Sequence, residues 1–244
     1  MQYVKFASLY DKLMADVDYD GWARYVSRFI DRGGSVLECA CGTGEMSLRL
    51  AKMGYSVTAT DISEEMLMIA SEKQRQAGLA MGKLRFVRMD MREVSSHKPV
   101  DCVLSCCDGV NYLTSTADLS AFFSSANSVL KPGGLLLFDI SSRYKLSKTL
   151  GNNCFAENGR DAAYIWQNSY DEKTKLIEME LTFFIRNGEL YERFDETHIQ
   201  RAHSVREIGA RLKEAGFTFE AYSCFKEEPP KETDERIQFI ARKK

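Results

Sequence analysis

The chain has few of the residues that usually announce a metal or disulfide protein. Among its 244 residues are four prolines, two tryptophans and only three histidines (His97, His198 and His203), and no Cys-x-x-C pair occurs. A structural zinc site is therefore not expected, and no metal ligands are assigned. The seven cysteines (39, 41, 102, 106, 107, 154 and 224) are odd in number. The opening residues MQYVKFASLYDKLM lack the charged-then-apolar order of a signal peptide. Together these argue against a disulfide framework and make the cytoplasm the expected compartment. No apolar run approaches the ~20 residues that cross a bilayer, so no membrane partner is expected. Charge of one sign is lacking too. A formal charge of −2 gives no electrostatic reason to expect nucleic acid, short of a local basic patch. Repeats and low-complexity tracts are absent, and oligomeric state leaves no mark in the sequence. What is present, 44% hydrophobic and 28% charged residues, suits a globular protein able to bury a full core.

From 35 to 140 the rhythm is strand, then helix, repeated. Ser35–Cys39 is a short apolar strand, followed by a glycine turn and a helix from about Glu45 to Met53, with Gly54 as its left-handed stop. Tyr55–Thr60 is β-rich, and Ser63 offers a cap to a helix with Glu64 and Glu65 in its first turn. Leu84–Met89 and Val100–Leu104 read as the third and fourth strands. Leu119, Phe122, Phe123, Ala126, Val129 and Leu130 share one helical face, which Pro132-Gly133-Gly134 should end before a strand Leu135–Ile140. This alternation predicts a doubly wound parallel sheet with its ligand crevice at the carboxyl ends of the strands.

The pattern changes near residue 150. Ile177, Met179, Leu181, Phe183 and Ile185 alternate with more polar neighbours, Asn187-Gly188 marks a hairpin, and Glu189–Ile199 is the return strand, with Ala163–Tyr170 as a third. A small antiparallel sheet is thus inserted in the α/β pattern. That pattern resumes at the capping box Ser204-x-x-Glu207, with a helix ended by Gly216 and closing strands Phe217–Phe225 and Arg236–Ala241.

Chemistry concentrates at the predicted strand ends. In VLECACGTG (36–44), Ala40, Gly42 and Gly44 allow close approach to backbone N–H groups, and Glu38 adds a carboxylate. A dinucleotide turn wants G-x-G-x-x-G, and Ser47 stands where the last glycine belongs, so an NAD-dependent oxidoreductase stays open here. Asp61, after the second strand, is placed to bind ribose hydroxyls in either cofactor class. Asp90, after the third, discriminates: its carboxylate can accept from an adenine amino group while the Met91 N–H reaches a ring nitrogen. Cys106 and Cys107 lie just past the fourth strand, whereas Cys39 and Cys102 read as small core residues.

The motif order VLECACGTG, TATDIS (58–63), MDM (89–91), DCVLSCCDGVNYL (101–113) and LKPGGLLLFDI (130–140) resembles that of class I S-adenosylmethionine-dependent methyltransferases. Ala40 replaces the family's usual first glycine, with little consequence expected. The resemblance implies a seven-stranded, Rossmann-like doubly wound sheet with its last strand antiparallel. It implies S-adenosyl-L-methionine as cofactor, with Glu38 at the methionine amino group and Ala40, Gly42 and Gly44 forming the turn. Asp61 would hold the ribose, Ile62 would pack on adenine, Asp90 and Met91 would read its edge, and the Cys106 backbone would lie beside the methionine moiety.

FASLYDKLMADVDYDGW (6–22) is similar to the N-terminal segment of small bacterial methyltransferases with an inserted sheet, in which the tyrosine lies over the cofactor. That nominates Tyr10, with Tyr3 and Trp22 as secondary candidates. The same subset has E-x-H-x-Q-R stretches like Glu196–Arg201, on a sheet that lids the acceptor site. His198 is then a candidate general base, set against a structural Glu196–His198 hydrogen-bonded pair. Glu196, Arg201, Asn111 and Tyr112 are candidate acceptor contacts. The expected division is a cofactor domain of 1–150 and 203–244, with 1–33 as its N-terminal helical segment, and a lid of 151–202. A small-molecule acceptor is expected from the lid. A non-catalytic module, or an enzyme using a modified donor in the same pocket, remain alternatives.

Overall fold

The computed structural model describes residues 10, 11, 14, 16–80 and 82–244. Tyr3 lies outside them. Seven strands form the larger sheet: β1 Ser35–Cys39, β2 Ser56–Asp61, β3 Leu84–Arg88, β4 Val100–Ser105, β5 Leu130–Ser141, β10 Phe217–Ser223 and β11 Arg236–Lys243. Their order is β10-β11-β5-β4-β1-β2-β3, with β11 antiparallel to both its neighbours and the other pairs parallel. Order reverses between β1 and β4, so the loops after these two strands diverge and leave the crevice that such sheets use for ligands.

Both faces of the sheet are covered. On one, α4 (Thr116–Val129) and α5 (Val205–Glu214) bury Leu119, Phe122, Phe123, Ile208 and Leu212 against Leu37, Val103, Phe138 and Phe239. On the other, α1 (Tyr19–Ser27), α2 (Glu45–Lys52) and α3 (Glu64–Gln76) bury Trp22, Leu48, Leu50 and Leu67 against Val36, Val57, Cys102 and Leu104. Strands buried on both faces read as continuous apolar runs, which is why β4 and β5 are so plain in the sequence.

The smaller sheet is a four-stranded meander of β6 (Cys154–Asn158), β7 (Ala162–Asp171), β8 (Leu176–Asn187) and β9 (Leu190–Arg201). A π-helical turn, Lys145–Leu150, leads into it and packs Leu146 and Leu150 under Ile177 and Met179. Neither that turn nor β6 is foreseen by periodicity, since every residue of β6 is exposed.

Three local expectations shift. Helix α4 ends at Val129, and Pro132-Gly133-Gly134 forms an irregular opening of β5, where the register against β4 slips between Val100 and Cys102. The β8–β9 turn centres on Gly188-Glu189, one residue later than expected, because Asn187 pairs with Leu190 and Gly188 supplies the positive φ of +65°. At α5 only half of the capping box forms. Ser204 accepts from the Glu207 N–H at 3.1 Å, while the Glu207 carboxylate turns to Arg201.

Helix α5 approaches β10 through Gly209, where an added Cβ would lie 2.3 Å from Cζ of Phe219. Overpacking of this kind costs about 1–3 kcal/mol, against ~1 kcal/mol gained by replacing a helical glycine with alanine. We expect Gly209→Ala to lower the urea midpoint and Phe219→Leu to recover part of the loss. A G209A protein as stable as the starting one would show that α5 shifts freely.

Candidate active site

The crevice is built from the β1 turn upward. After Cys39 the backbone enters left-handed conformations at Ala40 (φ +53°), Gly42 (+52°) and Gly44 (+78°), and Gly44 leads into α2. Alanine at such a φ is strained, so Ala40 costs more than its size suggested. Space explains Gly44, because an added Cβ would lie 2.8 Å from the Phe86 ring. The turn is held from the neighbouring strand. Gly42 N–H donates to Asp61 Oδ2 at 2.8 Å, Cys41 N–H donates to Thr60 O at 2.9 Å, and Asp61 Oδ1 accepts from Ser63 N–H at 2.9 Å. Burial raises the Asp61 pKa, and these N–H groups oppose the rise.

Glu38 ends almost fully buried in β1 and accepts a hydrogen bond from Ser47 Oγ. Burial pushes its carboxyl up to about 8, the Ser47 bond opposes this, and the nearby Asp61 charge adds to it. Ser47, which stands where a dinucleotide turn has its last glycine and keeps that alternative open in the sequence, is thus a partner of Glu38. Tyr10, Tyr19, Glu38, Ala40, Gly42, Thr43, Cys106 and Cys107 line one pocket beside the turn. Tyr10 comes within 3.7 Å of where a Gly42 Cβ would stand. Tyr19 was missed because it sits at the start of α1, where an aromatic reads as packing. Trp22, in contrast, is buried among Val26, Leu48 and other core residues.

Ile62 is largely exposed at the next strand end. Asp90 does not stand alone: Arg92 donates to it from its backbone N–H at 2.9 Å and from its guanidinium at 3.0 Å, holding its carboxyl below the usual range. Met91 packs partly buried against the α4 face of the core.

Beyond β4 the arrangement has little signal in the sequence. Cys107 and Asp108 adopt consecutive left-handed conformations (φ +60° and +58°). Arg236 of β11 reaches Asp108 Oδ1 at 2.9 Å and also pairs with the fully buried Asp139 of β5, which accepts from the Asp108 N–H at 3.1 Å. The one signal was Asp139 itself, an acid inside the apolar run LLLFDI. Gln200 of β9 donates to Asp108 Oδ2 at 3.0 Å, fastening the small sheet to this cluster. Tyr112 Oη lies 3.3 Å from Nδ1 of His198, and the two rings meet edge to face. Burial lowers the His198 pKa, which favours a neutral imidazole.

Two expected acceptor contacts have other tasks. Asn111 is fully buried, donating to Ser141 O and Arg201 O at 3.0 and 2.9 Å and accepting from Ser141 N–H at 2.9 Å. Its amide is spent on backbone. Arg201 pairs with Glu207 at 2.8 Å at the root of the small sheet. The expected Glu196–His198 hydrogen bond does not form among the described residues. Glu196 is buried, with Oε1 lacking a hydrogen-bond partner there.

A ligand fitting this crevice would meet carboxyl groups at Glu38, Asp61 and Asp90 on three successive strand ends, and so has to present hydrogen-bonding groups at three points. The set suits S-adenosylmethionine, whose amino group, ribose hydroxyls and adenine amino group are all hydrogen-bond donors.

A methyltransferase-domain family matches residues 36–134. The methyltransferase-type protein YqeM of Bacillus subtilis (strain 168) is 39% identical over 245 residues, covering 100% of this chain and 98% of its own. The crystal structure of an S-adenosylmethionine-dependent methyltransferase from Clostridium acetobutylicum ATCC 824 superposes with a TM-score of 0.88 at 34% identity, over 99% of this chain and 98% of that one. A ubiquinone biosynthesis O-methyltransferase from Caulobacter vibrioides is 27% identical over 183 residues, 74% of this chain and 67% of its own.

The raised Glu38 pKa has a signed consequence. Between the ordinary carboxylate range and about 8, the folded protein keeps a proton that the unfolded chain releases, so raising pH favours unfolding. Urea titrations of the cofactor-free protein between about pH 5 and pH 8 should show Glu38→Gln gaining stability relative to the starting protein as pH rises. Parallel pH dependences for the two proteins would count against a protonated Glu38.

Proposed function

The chain belongs to the class I S-adenosylmethionine-dependent methyltransferases, and from that premise we propose that it methylates a small molecule held between the β1 turn and the inserted sheet. The observation that carries this is the placement of Gln200, His198 and Phe194 on one face of β9, over the crevice formed by Asp108, Tyr112 and Tyr10. We divide the chain as a cofactor domain of 1–150 and 203–244, with 151–202 as the acceptor lid. All seven cysteines are free, which suits action in the reducing cytoplasm. Among the described residues no helix is long and apolar enough to cross a membrane.

S-adenosylmethionine supplies, when bound, an electrophilic methyl group on a positively charged sulfur. In our assignment Glu38 accepts from the methionine amino group, directly or through water, and the small residues of the 40–44 turn let the ligand lie against the backbone. Asp61 accepts from the ribose hydroxyls, Ile62 covers the adenine, and Asp90 with the Met91 N–H reads its edge. The Cys106 backbone and Tyr10 border the methionine moiety. Arg92 keeps Asp90 ionised, the state in which it only accepts hydrogen bonds.

Most of the rate enhancement in such a site comes from orientation, worth about 7–11 kcal/mol, whereas a general base adds ~10²–10⁴-fold. His198, neutral in its buried setting, is placed to take a proton. His198→Ala should therefore retain affinity for S-adenosylhomocysteine and lose at most ~10⁴-fold in turnover. Asp61→Ala should lose cofactor affinity at least ~10-fold, because hydrogen bonds to charged groups are each worth about 1.5–3 kcal/mol. With isotope-labelled cofactor and a cell extract, label should enter the small-molecule fraction. Label found in RNA or protein instead would overturn the choice of acceptor class.

A further inference from the structure

The sequence nominates Glu196 as an acceptor contact, and the assignments proposed so far leave it without a stated task. Glu196 is only 6% exposed, and its Oε1 has no hydrogen-bond partner among the described residues. Strand alternation puts it on the same face of β9 as Phe194, His198 and Gln200. Its neighbours on that face fix where this is. Phe194 stacks on Phe183, against which Tyr10 and Met66 pack, while His198 meets Tyr112 and Gln200 meets Asp108. Glu196 therefore lies on the face of the small sheet that meets the crevice, between the contact of Phe194 and Phe183 with Tyr10 and the contact of His198 with Tyr112.

We propose that Glu196 receives the acceptor's amino group, so that the nucleophile methylated by this protein is an amine. The proposal rests on the small-molecule methyltransferase reading and names its acceptor chemistry. A carboxylate only accepts hydrogen bonds, so its ligand must be a donor. The other carboxylates around the crevice each have a partner: Asp108 and Asp139 share Arg236, Asp61 has backbone N–H groups, Asp90 has Arg92, and Glu38 has the Ser47 hydroxyl. At Glu196 no salt bridge is formed among the described residues, and burial alone sets its raised pKa. An ammonium brings both the missing charge and several N–H donors, whereas a hydroxyl brings one proton and no charge.

The chemistry balances without a further reagent. The acceptor enters as R–NH3+, paired with the Glu196 carboxylate, and passes one proton to the neutral imidazole of His198, leaving R–NH2 and an imidazolium. The nitrogen lone pair then forms the C–N bond as the C–S bond breaks and its electron pair goes to sulfur. The positive charge moves from sulfonium to the methylated ammonium, which Glu196 continues to pair. His198 returns its proton to solvent as the product leaves.

Glu196→Gln keeps the shape and removes the charge. In the cofactor-free protein this variant should melt at the same temperature as the starting protein or higher, because an uncompensated buried carboxylate is lost. A clear fall in melting temperature would make Glu196 a satisfied structural residue and overturn the proposal. With isotope-labelled methyl donor and a bacterial metabolite extract, NMR of the product should show an N-methyl group. E196Q should lower kcat/KM for that product ~10–100-fold with S-adenosylhomocysteine affinity retained. An O-, S- or C-methyl product would overturn the amine assignment alone, while label in no small molecule would overturn the reading beneath it.

Discussion

The contact between Arg236 and the two carboxylates of Asp108 and Asp139 ties the distant parts of this molecule to its crevice. Arg236 opens β11, Asp139 lies in β5, and Asp108 ends the loop that leaves β4, so one guanidinium joins the closing strand of the chain to the floor of the pocket. Taking these charges out of water is costly, and a buried pair roughly breaks even against apolar packing. What it supplies here is geometry. Cys107 and Asp108 both occupy left-handed backbone, which ordinary side chains avoid. Three partners on Asp108 (Arg236, Gln200 and, through its N–H, Asp139) hold that conformation in place. The Cys106–Cys107 wall of the pocket and the Gly109–Tyr112 turn follow from it directly.

The same crevice carries an excess of acid. Glu38 and Asp61 stand at adjoining strand ends, Asp90 at the next, and Asp108 across the switch point, while Arg236 and Arg92 are already paired. Burial raises the proton affinity of Glu38 and Asp61, so both meet a ligand as hydrogen-bond partners set in a water-poor crevice. What separates the two cofactor classes that the glycine turn alone left open is the company the turn keeps: acids at three successive strand ends, and methyltransferase relatives that match along the whole chain.

How much was legible in the sequence depends on whether a feature is local. Strand–helix alternation through residue 140, the alternating face of β8 and the caps at Ser63 and Ser204 rest on contacts within a few residues, and the structure has them close to where the pattern places them. Features made by distant residues were not legible. Arg236 pairs across 128 positions with Asp108, and nothing near Arg236 marks it as buried. Asn111 looked like an acceptor contact because it follows a strand end. Its partners, Ser141 and Arg201, lie 30 and 90 positions away. Position in the topology was correctly read; the direction of the side chain was not. Glu196 and His198 went the same way, since residues two apart on a strand share a face without touching.

Asn111 also shows why the lid belongs with the cofactor sheet in any account of turnover. Its amide joins the end of β5 to the end of β9, and Arg201 beside it pairs with Glu207 on α5. The root of the small sheet is thus fixed to the larger one by buried hydrogen bonds, whose loss would leave backbone groups unsatisfied. At its far end Phe183 and Phe194 pack with Tyr10 and Met66, which adds apolar burial to the polar root. Glu196 and His198 lie between these two attachments, so both stand on a strand held at either end beside the crevice.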